Sequence, residues 1–187
     1  MNFQKQKGFT IVELLIVIVV IGILAAITVV AYNGIQGKAR DTQRVSDLTS
    51  IVKALELYKI NNGTYPARVA TPNASDWEVS TDGNNVATNF LSALVSSNVI
   101  RKVPVDPVNT GTVLNPSFTA NTYEYFYYVY GAGTNGCDVA RGPYYILGAT
   151  RMDAVPSGQT HPASPGFSCT SRNWADNGAW VTGGYTN

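Results

Sequence analysis

Glu13 is the residue of this chain most in need of a chemical reason. From Phe9 to Tyr32 it is the only charged side chain. A charged group in mid-bilayer costs about 2.5–3.5 kcal/mol on insertion scales, less near the edge, so a retained carboxylate calls for a cation. The nearest suitable one is a free amine. Cleavage between Gly8 and Phe9 would create that amine about one helical turn before Glu13. In a packed bundle the amine of one copy could then meet the Glu of its neighbour. Elsewhere, chemistry-bearing residues are sparse. His161, the sole histidine, lies between Thr160 and Pro162. It reads as a solvated loop residue, and one histidine supports no Ser–His–Asp or Cys–His set. Gly131–Gly136 fits G-x-G-x-x-G as letters, without the strand-to-helix setting that gives the pattern meaning; it reads as a turn. Asp106 and Asn109 offer oxygens of the kind Ca²⁺ takes, but no acidic cluster joins them. No catalytic residue, metal or cofactor is expected.

The element that must position Glu13 is a long apolar rod. Leu14 to Ala31 is an uncharged run, spanning roughly 27 Å as a helix at about 1.5 Å per residue. That is close to the ~30 Å hydrocarbon thickness of a bilayer, which makes it a transmembrane candidate. A cleaved secretory signal has an apolar core of only about 7–15 residues; this run is longer, although small residues occur at Ala25, Ala26 and Ala31. A plain signal anchor, with Glu13 a bystander, is the other alternative. Lys5 and Lys7 precede the span and Lys38, Arg40 and Arg44 follow it, so loop charge does not settle orientation.

Gly8-Phe9-Thr10-Ile11-Val12-Glu13-Leu14-Leu15 resembles the class III signal of type IV pilins and of the related pseudopilins of type II secretion and competence systems. Tyr58–Pro66 and Val103–Pro107 are also similar to this family, more weakly over 88–107 and not at all in the last third. The resemblance implies a leader, residues 1–8, removed by a prepilin peptidase after Gly8. It implies N-methylation of Phe9 and a role in filament assembly for Glu13. It implies an inner-membrane precursor with a cytoplasmic leader and an external head, which later enters an extracellular pilus or a periplasmic pseudopilus. The implied partners are other copies of the chain in a helical homopolymer, related minor pilins, the peptidase, the inner-membrane assembly platform and the membrane before assembly.

With 187 residues, the chain has room for an anchor and one globular domain of ordinary size. Its formal net charge is +1; removal of Lys5 and Lys7 with the leader takes two positive charges away. Nothing in that balance draws the subunit to nucleic acid. Two cysteines, Cys137 and Cys169, in an exported domain suggest one disulfide. Without close Cys spacing or a second histidine, a metal or redox pair is the weaker reading.

Residues 9 to about 62 read as one helix: 9–32 for membrane and polymerisation, the rest as part of a head domain over 33–187. Val45, Leu48, Ile51, Val52, Leu55 and Tyr58 recur at spacings of three and four and form one apolar stripe. Asp41, Arg44, Asp47, Lys53, Glu56 and Lys59 are expected on the wet side, with Lys38, Arg40 and Arg44 near the filament core or membrane surface. Gly22 could permit close helix packing; Asn33, Gly34 and Gly37 mark a place to bend or melt. Gly63 suits a helix end. Residues 66–87 read as irregular, with a short strand near Trp77–Val79. A second helix is expected over 89–98, capped by Thr88 or Asn89. The aromatic run Tyr123–Tyr130 reads as a strand, with Tyr123, Tyr125, Tyr127 and Val129 on one face. Tyr144–Thr150 and Ala179–Thr182 read as further strands, and 153–168 as a loop tied by Cys169. Trp174, Trp180 and Tyr185, with Asn173 and Asn177, either finish the core or contact sugars or a partner, the core being preferred. A long helix followed by strands on short turns predicts an α+β fold, with a small antiparallel sheet covering the stripe.

The function expected from the resemblance is that of a structural subunit of a type IV pilus-like filament, not an enzyme. The alternatives are a pseudopilin of a type II secretion or competence system and a non-polymerising membrane-anchored binding module.

Overall fold

The computed structural model describes residues 8–68, 77–81, 90–110, 118 and 122–187. It comprises two compact units, Met1–Lys38 and Ala39–Asn187, both drawing on helix α1, Ile11–Asn62. No proline interrupts this sequence, and Gly63, at φ 76°, closes the helix by donating its N–H to the Lys59 carbonyl at 2.7 Å. In the first unit every described side chain from Phe9 to Val29 is exposed, and the helix is long and apolar enough to cross a membrane.

The second unit is α+β. After α1 come β1 (Glu78–Val79), α2 (Ser92–Ser96), β2 (Tyr125–Tyr130), β3 (Tyr144–Ala149), β4 (Ser168–Cys169), β5 (Arg172–Asn173) and β6 (Trp180–Tyr185). Strands β1, β2, β3 and β6 lie side by side in that order, every pair antiparallel. The β4–β5 hairpin is separate. Alternation along the strands produces two cores. Tyr125, Tyr127, Tyr145, Leu147 and Trp180 face the helix stripe, where Leu48, Ile51 and Leu55 are fully buried. Val45, Val52 and Tyr58 pack at its edge, as the spacing predicts. On the other face Val79, Phe126, Tyr144, Ile146, Trp174 and Val181 form a second core. Gly148 and Gly183 are needed where rings cross the sheet: a Cβ at either would lie 2.5 Å from the Phe126 or the Phe167 ring.

Several expectations change. Asp41 and Arg44 are not on the wet side; they are 3% and 0% exposed, because an ion-pair cluster buries them. Helix α2 is shorter than 89–98. Leu91 takes a left-handed conformation, φ 49°, and gives its N–H to the buried Glu78 carboxylate at 2.7 Å, which breaks the helical path. No side chain caps α2, and the expected caps Thr88 and Asn89 lie outside the described residues. So does most of 66–87, although the strand near Trp77–Val79 is present as β1. Strand β6 runs on to Tyr185 because Tyr144–Ala149 pairs with it along its whole length.

Candidate functional site: the helix start and its anchorage

Helix α1 begins with a reciprocal cap. Thr10 immediately precedes the first helical residue and Glu13 is the third residue of the helix. The Glu13 N–H donates to Thr10 Oγ1 at 3.2 Å. In return, Glu13 Oε2 accepts from the Thr10 N–H at 2.7 Å and from its hydroxyl at 2.8 Å. This is a capping box, in which two backbone donors that a helix start leaves unmet are satisfied at once. A carboxylate here also meets the positive end of the helix dipole. Gly8 and Phe9 are exposed, Phe9 to 86%, and a Cβ at Gly8 would meet nothing within 4 Å. Farther along, the Thr28 hydroxyl donates to the Leu24 carbonyl at 2.6 Å, so it presents no unmet donor to an apolar medium. Glu13, the exposed Gly8–Phe9 pair and a long apolar surface thus come together at the start of one element. What that arrangement offers is a long exposed apolar surface with one acid at its start.

The second half of α1 is anchored by charge as well as by apolar packing. The Arg44 guanidinium donates to Asp106 at 2.7 and 3.2 Å, to Asp41 at 2.7 Å and to Asp153 at 2.7 Å. Arg40 adds two bonds to Asp153, at 2.8 and 3.1 Å. Asp41 accepts from the backbone N–H groups of Asp153 and Ala154. The Tyr123 hydroxyl donates to Asp153 at 3.0 Å, and its ring centroid lies 4.7 Å from the Arg44 guanidinium carbon. Burial alone would raise the Asp153 carboxyl; hydrogen bonds from Arg40 and Arg44, with the Arg44 charge, outweigh it and hold the group well below the usual carboxylate range. Asp47 is pushed the other way, first by burial.

The remaining candidates disperse. Cys137 and Cys169 form a disulfide. Asp106 is taken up by Arg44 and by the N–H groups of Val108 and Asn109, while Asn109 bonds Ser80; the two do not assemble a site. His161 accepts from the Ala163 N–H in its loop. Gly131–Gly136 ends in a 3₁₀ turn, Thr134–Gly136, and is followed by another, Val139–Arg141, and then strand β3, not by an α-helix. Trp174 and Trp180 are buried, one in each core, as the preferred reading has it. Among the described residues no group of three or more His, Cys, Asp or Glu is placed to hold a metal. Two contributors went unnoticed in the sequence. Thr10 is signalled by the T-x-x-E spacing. The Arg44 cluster has no local signal, since Asp106 and Asp153 lie 62 and 109 positions away.

The family model of the prokaryotic N-terminal methylation motif matches residues 3–29. The chain is similar to type II secretion system core protein G of Klebsiella michiganensis, 42% identical over 66 residues, which are 35% of this chain and 46% of that protein. The same protein of Escherichia coli is 44% identical over 63 residues, 34% and 43% of the two chains. That of Vibrio cholerae is 38% identical over 65 residues, 35% and 44%. The chain thus spans less than half the length of these curated relatives. No solved structure matches. Over its N-terminal third the chain thus resembles prepilin-type proteins: a methylation motif stands at the start of a long apolar helix, whose second half is laid on a small antiparallel sheet.

Proposed function

We propose that the chain is a structural subunit of a pilus-like filament. It is made as a membrane precursor with its leader in the cytoplasm and its head outside. It is cut between Gly8 and Phe9 and methylated on Phe9. Copies then pack through the apolar first half of α1, where burial and dispersion supply adhesion. The Glu13 carboxylate exchanges its bond to the Thr10 N–H for the amine of a neighbouring Phe9, which sets stagger; a buried charge pair adds little net stability but can enforce register. The carrying observation is the Gly8-Phe9…Glu13 motif at the start of an exposed apolar helix within the matched residues 3–29. Mass analysis of the mature N-terminus tests it. A chain beginning at methylated Phe9 is expected; one beginning anywhere else overturns the reading.

A pseudopilin of a type II secretion system is the second reading, favoured by the three relatives described above, each named core protein G of such a system. The Cys137–Cys169 disulfide leans toward a pilin. Electron microscopy of shed surface fibres, with their subunits identified by mass spectrometry, separates the two from each other and from a membrane-anchored binding module that does not polymerise.

A further inference from the structure

The head carries a cleft of about 540 Å³ between α2 and residues 101–105, with Phe90, Val95, Val103 and Val105 in its apolar wall. Among the described residues its only charged lining is Arg101 and Lys102. Both are exposed, and neither has an ion-pair partner among the described residues. Such a cleft fits an apolar protrusion that carries an acid. The chain possesses one. Val139 is 69% exposed, and the exposed Asp138 precedes it. Asp138 Oδ1 accepts from the Ala140 N–H at 2.9 Å, while Oδ2 has no partner among the described residues.

We propose that this cleft receives the Asp138–Arg141 turn of a second copy of the chain, Val139 entering the apolar wall and Asp138 meeting Arg101 and Lys102. The proposal rests on the reading of the chain as a filament subunit. Three observations favour this occupant. The turn is tied to the head before contact: its 3₁₀ bond from Gly142 N–H to the Val139 carbonyl is 3.1 Å, Asn187 N–H bonds the Arg141 carbonyl at 3.1 Å, and Cys137 beside it is in the disulfide. A preordered knob loses little freedom on docking. Arg141, the one cation of the turn, lies 3.9 Å from the Tyr185 ring centroid and is stacked there. The other strongly exposed apolar residues of the head fit less well. Leu57 and Ile60 lie among Lys53, Glu56 and Lys59, and that one acid is already paired with Lys59 and Tyr65. Val95 is part of the cleft itself, and Val108 lies just beyond its Val103–Val105 wall. Knob and cleft are different surfaces, so the contact is heterologous. Repeated from copy to copy, it extends an open helical array wherever the rotation does not close.

The test uses full-length chains in the membrane of cells that assemble them. Val139→Cys and Val95→Cys are expressed together in separate copies and treated with a short bismaleimide; the two native cysteines, bound to each other, do not react. A dimer linked through these positions is expected. Its yield should fall at least tenfold when the copy with Val95→Cys also carries Arg101→Glu and Lys102→Glu. It should recover when the other copy also carries Asp138→Lys. Filaments seen by electron microscopy in a sample that yields no dimer overturn the contact and leave the filament reading standing. Absence of both filaments and dimer overturns both. A dimer whose yield ignores the charge reversals overturns the pairing of Asp138 with the two cations.

Discussion

At Arg44 the apolar stripe of the long helix gives way to charge. The guanidinium is fully buried and its fork reaches three carboxylates, a geometry that a Lys ammonium cannot reproduce. Removing one member of a buried ionic group leaves the others uncompensated and costs about 3–5 kcal/mol. Arg44→Ala should therefore destabilise the head by about that much, read from urea unfolding of the full chain in micelles followed by tryptophan fluorescence. Arg44→Lys should recover only part of the loss. The acid limb of the stability curve belongs to Asp153. Its carboxyl titrates lower in the folded head than in the unfolded chain, where about 3.9 is usual. The folded state therefore binds fewer protons. The stabilisation is fully present above the unfolded value and is lost as pH falls through the folded one. Unfolding free energy should be flat from about pH 7 to 5 as far as this group is concerned, and fall below about pH 4. Asp153→Asn should flatten that fall in a urea series at each pH.

At the scale of elements, the sheet carries two layers of apolar side chains, and each needs a cover. Helix α1 covers one. The other is covered by turns, by Phe167 and by Trp174, and these are tied down by the disulfide. Closing a loop of 32 residues' separation is worth about 3–4 kcal/mol in the chain-entropy model. Cys137→Ser with Cys169→Ser should lower the unfolding free energy by roughly that amount. It should loosen the β4–β5 hairpin first, seen as faster amide exchange over residues 160–178 than over β2 and β3. If exchange quickens equally in β2 and β3, the disulfide does not act on that hairpin alone.

For the whole molecule, the first unit offers a long exposed apolar surface and one acid. The second is a folded head with two apolar cores of its own. Glu13→Ala should leave membrane insertion and head folding intact while abolishing incorporation into filaments. Membrane fractionation together with electron microscopy checks this, and normal fibres from that variant would exclude the role proposed for Glu13. The helix start and the stripe were legible in sequence because their information is local: a motif, a run without charge, a spacing of three and four. Strands β2 and β3 were legible for the same reason, through aromatic runs between turn residues. The Thr10 cap is local too, carried by the T-x-x-E spacing. Arg44 was misplaced because a charged residue on a helix is ordinarily solvated, and its partners lie in loops far along the chain.

The sequence alone determined the apolar rod, its lone acid, the α+β class and the pairing of the only two cysteines, since period, composition and count require no knowledge of distant neighbours. Only the tertiary structure decided that Asp41 and Arg44 turn inward, that Leu91 cuts the second helix short, and that a cleft with Arg101 and Lys102 at its wall and an acidic knob stand on the same head. Those outcomes depend on which loops the sheet brings beside the helix, and long-range proximity leaves no mark at any single position.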